Sequence, residues 1–265
     1  MPGPAPVHLD RAPLIRVLCQ VQWPEHTLLS TRFASIANDL AARIAGDYPL
    51  SAAQPTSFEF DPATGQVRAQ AQSAVRQWTS ADDVWGVYFA PTFVTVENRG
   101  AYTNRRDLLD RFRAVVAQVA SVIELPIAQR LGWRYVNRVS DDSDRAELNQ
   151  LVEPTVLGAG AVPAPDHVEL VHSFTESLFR SVDGNLLAKW GFLPPNATHD
   201  PTLPSAMEMS WILDIDAFKE ERTAFDAKEL TVGLEKLAEL AYGFFRWSVK
   251  DSFIERFGGY SDHNA

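Results

Sequence analysis

The sequence predicts an α+β protein built as two consecutive α/β-sandwich halves, each a mostly antiparallel curved sheet with helices packed on one face. Three observations predict it. Short runs rich in β-branched and aromatic residues are joined by hairpin-type turns, such as Asp183-Gly184-Asn185. Longer segments repeat apolar residues at helical spacing within each half. No Gly-rich strand-to-helix crossover occurs, which argues against a doubly wound parallel sheet.

The first half spans residues 12–140, after a Pro-rich tail over 1–11 that is expected to be disordered. Leu14–Trp23 reads as a strand stopped by Pro24. Ser30 is the expected N-cap of a helix whose stripe is Leu29, Phe33, Ile36, Leu40 and Ile44, with Gly46 ending it. Short strands are expected between Phe58 and Trp78, with a turn at Asp61–Gly65, and again at Val84–Ala90 and Phe93–Glu97. Asn104 and Asp107 form a capping-box variant for a second helix, with Leu108, Phe112, Val115, Val119 and Ile123 inward and Pro126 beyond. A strand from Gln129 to Val139 closes the half.

Residues 141–165 read as a linker, polar at Asp141–Asp144 and rich in Gly, Ala and Pro at 158–165, with one short helix near Glu147–Glu153. The second half spans 166–265. It opens with a long strand, Val168–Val182, returning as Leu186–Leu193. After a Pro-containing loop, Met207, Met209, Trp211, Leu213 and Ile215 alternate with Glu208, Ser210, Asp214 and Asp216, so one face is apolar and the other acidic. Asp226 and Glu229 form a capping box for a helix lined by Leu230, Leu234, Leu237, Ala241 and Phe244. Ser248 and Asp251 are the expected caps of a last short helix.

Of the 265 residues, 46% are apolar and 22% charged, enough to bury a core. The 7 Trp and 15 Phe belong in that core or in an interface. A net charge of -10 opposes nonspecific binding to nucleic acid, because phosphates are repelled at long range. The single cysteine, Cys19, excludes an internal disulfide and fits a reducing cytoplasm. Its apolar strand makes it an inert core thiol rather than a nucleophile. The sequence shows neither a signal peptide nor an apolar run of bilayer length, so no membrane partner is expected.

Two constellations could carry chemistry. Arg130, Arg134 and Arg138 fall on one face of their strand, opposite Leu131, Trp133, Tyr135 and Val139. Such a row, with Asn137 nearby, is a candidate site for an anionic ligand, since guanidinium grips carboxylate or phosphate with two parallel hydrogen bonds. Asp214 and Asp216 share a face and form a candidate Mg²⁺ or Mn²⁺ site. The plainer alternative for both is that basic and acidic strand faces complement each other in ion pairs. His167 and His172 point to opposite sides of a strand and do not share a metal. His26 and His199 lie in loops without a partner that sequence identifies. Phosphate-loop and nucleophile-elbow motifs are absent.

The segments Ala12-Pro13-Leu14 to Trp23-Pro24, Arg130-Leu131-Gly132-Trp133-Arg134-Tyr135-Val136-Asn137-Arg138, Leu213-Asp214-Ile215-Asp216 and Phe244 to Gly259 carry a resemblance. Together they resemble a sporadically distributed family of prokaryotic conserved hypothetical proteins, whose middle motif reads Arg-x-Gly-Leu-Arg-Tyr-x-Asn-Arg. The resemblance covers residues 12–259 and implies no activity, cofactor or catalytic residue. The family's patchy occurrence implies a tie to mobile elements or defence gene neighbourhoods. Ala, Arg and Pro usage points to a bacterial source such as an actinobacterium.

The reading that follows is a non-enzymatic binding or interaction module, with an unidentified protein partner or self-association and no cofactor. Two alternatives stand beside it. One is a metal-dependent phosphoesterase or phosphoryl-transfer enzyme using Asp214 and Asp216 with the arginine row. The other, disfavoured by charge, is a nucleic-acid-binding protein.

Overall fold

Alternation puts Val17, Cys19 and Val21 on one face of a strand, and that face is fully buried in a computed structural model of the chain. The structure describes residues 7–51, 58–61, 66–69, 75–100, 102–162 and 164–259. The first half runs β1 (Leu14–Gln22), α1 (Thr27–Ile44), β2 (Leu50–Ser51), β3 (Phe58–Asp61), β4 (Gln66–Ala69), β5 (Arg76–Thr79), β6 (Trp85–Ala90), β7 (Phe93–Asn98) and α2 (Arg105–Val122). There follow β8 (Ile127–Ala128), β9 (Arg130–Val139), α3 (Asp142–Ala146), α4 (Leu148–Leu151), α5 (Pro154–Leu157) and a 3₁₀ turn, Gly158–Ala161. The chain closes with β10 (Ser173–Arg180), β11 (Asn185–Leu193), β12 (Ser210–Lys219), β13 (Thr223–Ala224), α6 (Ala227–Ser248) and α7 (Asp251–Arg256).

The α+β class and the antiparallel pairing stand as expected. The strands of the two halves join one nine-stranded sheet, ordered β10-β11-β12-β9-β1-β7-β6-β5-β2. β1 and β9 meet antiparallel at its centre, with Val17 opposite Tyr135. Outward from that pair, β7, β6 and β5 on one side mirror β12, β11 and β10 on the other. Each half therefore contributes a strand, helical structure, three meandering strands and a long helix, and a pseudo-twofold axis passes between β1 and β9. α2 packs on β7 and β1, α6 on β9 and β12, and the two helices pack on each other.

Several boundaries differ from expectation for local reasons. α1 starts at Thr27 behind His26, and Ser30 sits inside it. Arg32 leaves helical geometry (φ -128, ψ 22), so a first turn is kinked against the rest, and the capping signal at Ser30 lies next to that kink. Residues 168–172 are not strand, and β10 begins at Ser173. β12 begins at Ser210, which leaves Met207 outside it and exposed. The segment read as a linker folds into α3, α4, α5 and the 3₁₀ turn, with Leu148, Leu151, Val152, Val156 and Leu157 buried. Ser248 ends α6 rather than capping α7, and Lys250 takes that cap position with no side-chain bond. The expected turn residues 62–65 lie outside the described residues.

The capping signals of the two long helices hold. Asn104 Oδ1 accepts from the Asp107 N–H at 2.9 Å. Asp226 Oδ1 accepts from the N–H groups of Lys228 and Glu229, both at 2.9 Å. The buried face of α6 is Leu230, Leu234, Leu237, Ala241 and Phe245, with Phe245 rather than Phe244 the innermost aromatic. Asp226→Ala leaves two backbone donors of the first turn uncapped and is expected to cost about 1 kcal/mol in urea unfolding, with the midpoint falling at unchanged slope. Among the described residues no helix is long and apolar enough to cross a membrane.

Candidate functional site

Arg130, Arg134 and Arg138 project from the face of β9 that the helices do not cover, as their even spacing dictates. Asp214 and Asp216 project from β12 on the same face. Register places Arg134 opposite Asp216 and Val136 opposite Asp214. Arg134 reaches across diagonally: its Nε donates to Asp214 Oδ1 at 2.8 Å and its Nη2 to Asp214 Oδ2 at 2.6 Å. The same Nη2 lies 2.8 Å from Asp200 Oδ2. Arg130 Nη2 donates to Asp216 Oδ2 at 3.0 Å, and its guanidinium carbon stands 4.7 Å above the Phe218 ring.

The Pro-containing segment 194–209 folds back over this face. His199 Nε2 sits 2.7 Å from Asp214 Oδ2, Arg16 donates to Thr202 Oγ1 at 3.1 Å, and Arg138 Nη1 donates to the Pro204 carbonyl at 2.6 Å. Sequence reasoning missed His199 and Asp200. Their partners lie on strands with which they share no periodicity, so no local signal marks them.

The electrostatics follow from these contacts. Burial opposes ionisation of Asp214, but the hydrogen bonds from Arg134 and His199 outweigh it, and the carboxyl is held below the usual carboxylate range. Burial also opposes ionisation of Asp200, yet Thr202 and Arg134 bring it down to about 2. Asp216 goes the other way: burial raises it, and Arg130 and Arg134 offset only part of that.

The row is thus an acid–base complement across two strands, and both candidate metal carboxylates are engaged by arginines. Among the described residues no group of three or more His, Cys, Asp or Glu side chains is placed to hold a metal ion. Asn137 is separated from the arginines by the sheet itself. Its side chain is buried on the helix-covered side, where Nδ2 donates to the Leu213 carbonyl at 3.2 Å. Cys19 is buried, and burial pushes its thiol up, so it is not an activated nucleophile.

On that helix-covered side a cavity of about 440 Å³ opens between the start of α2, the last turns of α6 and the sheet centre. Leu9, Leu14 and Phe245 give it apolar walls, and Tyr102, Tyr135 and Tyr242 line it with hydroxyl-bearing rings. Tyr102 and Tyr135 meet edge to face, their centroids 6.1 Å apart. Burial raises all three tyrosines, so the hydroxyls stay neutral at physiological pH. Asn104 and Arg105, at the α2 N-terminus, and Asn137 are its polar wall. The N-terminal segment straps one side: the Val7 N–H donates to Tyr242 Oη at 2.9 Å, and the Arg11 N–H to the Phe257 carbonyl at 3.0 Å. Sequence gave no signal for this cavity, because it forms only where the two half-units join.

No protein-family model matches the chain, and no curated protein matches it significantly.

Proposed function

We propose that the chain is a non-enzymatic ligand-binding module that holds one small, largely apolar molecule in the cavity between α2, α6 and the sheet centre. The cavity itself carries the reading. Its volume of about 440 Å³ falls within the range of small-molecule sites, roughly 300–1,000 Å³. Apolar walls with a few convergent polar groups are the usual make-up of such sites, and this one lies on the seam of two half-units. The tyrosine faces suit a flat or aromatic ligand. Their hydroxyls, with Asn104 and Asn137, suit a ligand that carries one polar end.

The phosphoryl-transfer reading would require Asp214 and Asp216 to release the arginines that now hold them. The nucleic-acid reading would require the same arginines to leave their acids in a chain of net charge -10. An interaction surface is the reading with independent support. Phe179, Phe244 and Trp247 form a ring cluster with centroid separations of 5.3 and 5.2 Å, and Phe179 and Trp247 are exposed.

Native mass spectrometry on gently purified protein, followed by a thermal-shift screen of small aromatic compounds, tests the cavity. A bound mass or a stabilising compound is expected with the native chain. Leu14→Trp, which fills the cavity from β1, is expected to abolish both while leaving the far-ultraviolet circular dichroism unchanged. At a hundredfold excess over Kd the ligand adds about 2.7 kcal/mol. A compound that stabilises the native chain and Leu14→Trp equally would place binding elsewhere and overturn the proposal.

A further inference from the structure

The arginine row has a third rung, and the protein leaves it incomplete. Arg134 stands opposite Asp216 and bonds the acid two residues earlier on β12, Asp214. Arg138 stands opposite Ile212, so the residue in the corresponding place is Ser210. Serine carries no charge, and among the described residues no carboxylate reaches Arg138. Arg138 is nonetheless buried, the residue 8% exposed, under the segment 194–209. Among the described residues only its Nη1 has a partner, the Pro204 carbonyl at 2.6 Å. Its Nε and Nη2 are buried with no hydrogen-bond partner among the described residues, and so is Ser210 Oγ, on a residue 1% exposed.

A buried guanidinium cannot escape its charge by losing a proton, and a buried charge without a counter-charge is costly. Nε and Nη2 form the edge of the guanidinium that takes two oxygens at once. Arg134 uses that same edge on Asp214.

We propose that Arg138 and Ser210 form a buried site for a small free carboxylate, such as formate or acetate, that supplies the acid missing from the third rung. One oxygen would take Nε–H and the other Nη2–H, with the Ser210 hydroxyl donating to either. A single negative charge fits, because the remaining charged groups beneath the loop are already matched: Arg16 by Glu97 at 3.2 Å, and Arg134 by Asp214 and Asp200. The roof over these groups is held by its own hydrogen bonds, which limits any guest to a few atoms. The Asn196 N–H donates to the Ala206 carbonyl at 2.7 Å and the Leu203 N–H to the Asp200 carbonyl at 3.0 Å, with Leu203 buried. The site lies across the sheet from the seam cavity and does not depend on it.

Thermal unfolding in chloride-free buffer, with sodium formate as the probe and sodium fluoride matching ionic strength, tests the site. Saturating formate is expected to raise the native Tm by about 5 °C over fluoride. Ser210→Asp places the acid on the protein, and is expected to raise Tm without formate and to remove the response to it. Arg138→Met is expected to lose the response as well. Crystals soaked in bromide are expected to show an anomalous peak within hydrogen-bonding distance of Arg138 Nε or Nη2, which decides the matter if either variant fails to fold. A native Tm that formate leaves unmoved, a formate response retained by Arg138→Met, or a soaked crystal without that peak would each overturn the proposal.

Discussion

Asp214→Ala is expected to lose about 3–5 kcal/mol of stability, because it removes one partner of a buried pair and leaves the other charged and desolvated. The carboxylate is 2% exposed and takes three bonds, two from Arg134 and one shared with His199. After its removal Arg134 keeps only Asp200, at 2.8 Å, and His199 keeps neither ring nitrogen paired. Urea unfolding of the variant measures the loss, and a cost below about 1 kcal/mol would mean that the row is solvated rather than structural. Replacing both partners, as Arg134→Met with Asp214→Leu, is expected to recover most of the loss, since a buried ion pair is often no better than well-packed apolar side chains.

The pH dependence carries a definite sign. Asp214 and Asp200 both have folded pKa values below their unfolded ones. The stability they contribute is therefore full above an ordinary carboxylate pKa of about 4, and is lost as pH falls through the folded value, about 2 for Asp200. Asp216, with its raised pKa, acts in the opposite sense: its ionised form costs stability at neutral pH, and that cost lifts on acidification. The stability gap between the native chain and Asp214→Ala is expected to hold from pH 7 to about 4 and to narrow as pH falls below that. A gap that stays constant to pH 2 would show that Asp214 gives up no ionisation-linked stability on unfolding.

What the sequence shows of this site is what strand periodicity can encode. Even spacing puts Arg130, Arg134 and Arg138 on one face of β9 and Asp214 and Asp216 on one face of β12, and the pairing of basic with acidic strand faces is the plainer alternative that the sequence offers. Periodicity also separates Asn137 from the arginines, since odd and even positions of a strand point apart. It cannot encode where a loop returns. His199, Asp200 and Pro204 reach Asp214, Arg134 and Arg138 through the path of residues 194–209, which has no repeat to read. The join of the halves is hidden for a related reason. Each half repeats a strand-and-helix pattern that is visible in the sequence, but the edge of β9 that meets β1 presents backbone groups, and those are the same for every sequence.

The join makes a second large effect predictable from the first. A twofold relation centred on the Val17–Tyr135 pair carries Arg16 onto Arg134 and Glu97 onto Asp214, because Glu97 stands opposite Leu18 as Asp214 stands opposite Val136. The chemistry repeats with the geometry. Glu97 is 1% exposed and is bound by Arg16 Nε at 3.2 Å, Arg99 Nε at 2.6 Å and Tyr88 Oη at 2.5 Å. Glu97→Ala strands Arg16 as Asp214→Ala strands Arg134, and is expected to cost a similar 3–5 kcal/mol or so. Arg99 is better placed, since Asp83 remains at 2.7 Å. A second readout separates lost electrostatics from lost packing. Burial and then the neighbouring Glu97 charge push Tyr88 up to about 12. Glu97→Ala removes the second cause and leaves the first, so Tyr88 is expected to titrate lower than in the native chain yet still above an ordinary tyrosine near 10. Absorbance at the tyrosinate band follows it. A stability loss with Tyr88 unmoved would mean that the alanine variant collapses around the site and that Glu97 acts by filling space, in which case the likeness to Asp214 is one of shape and not of charge.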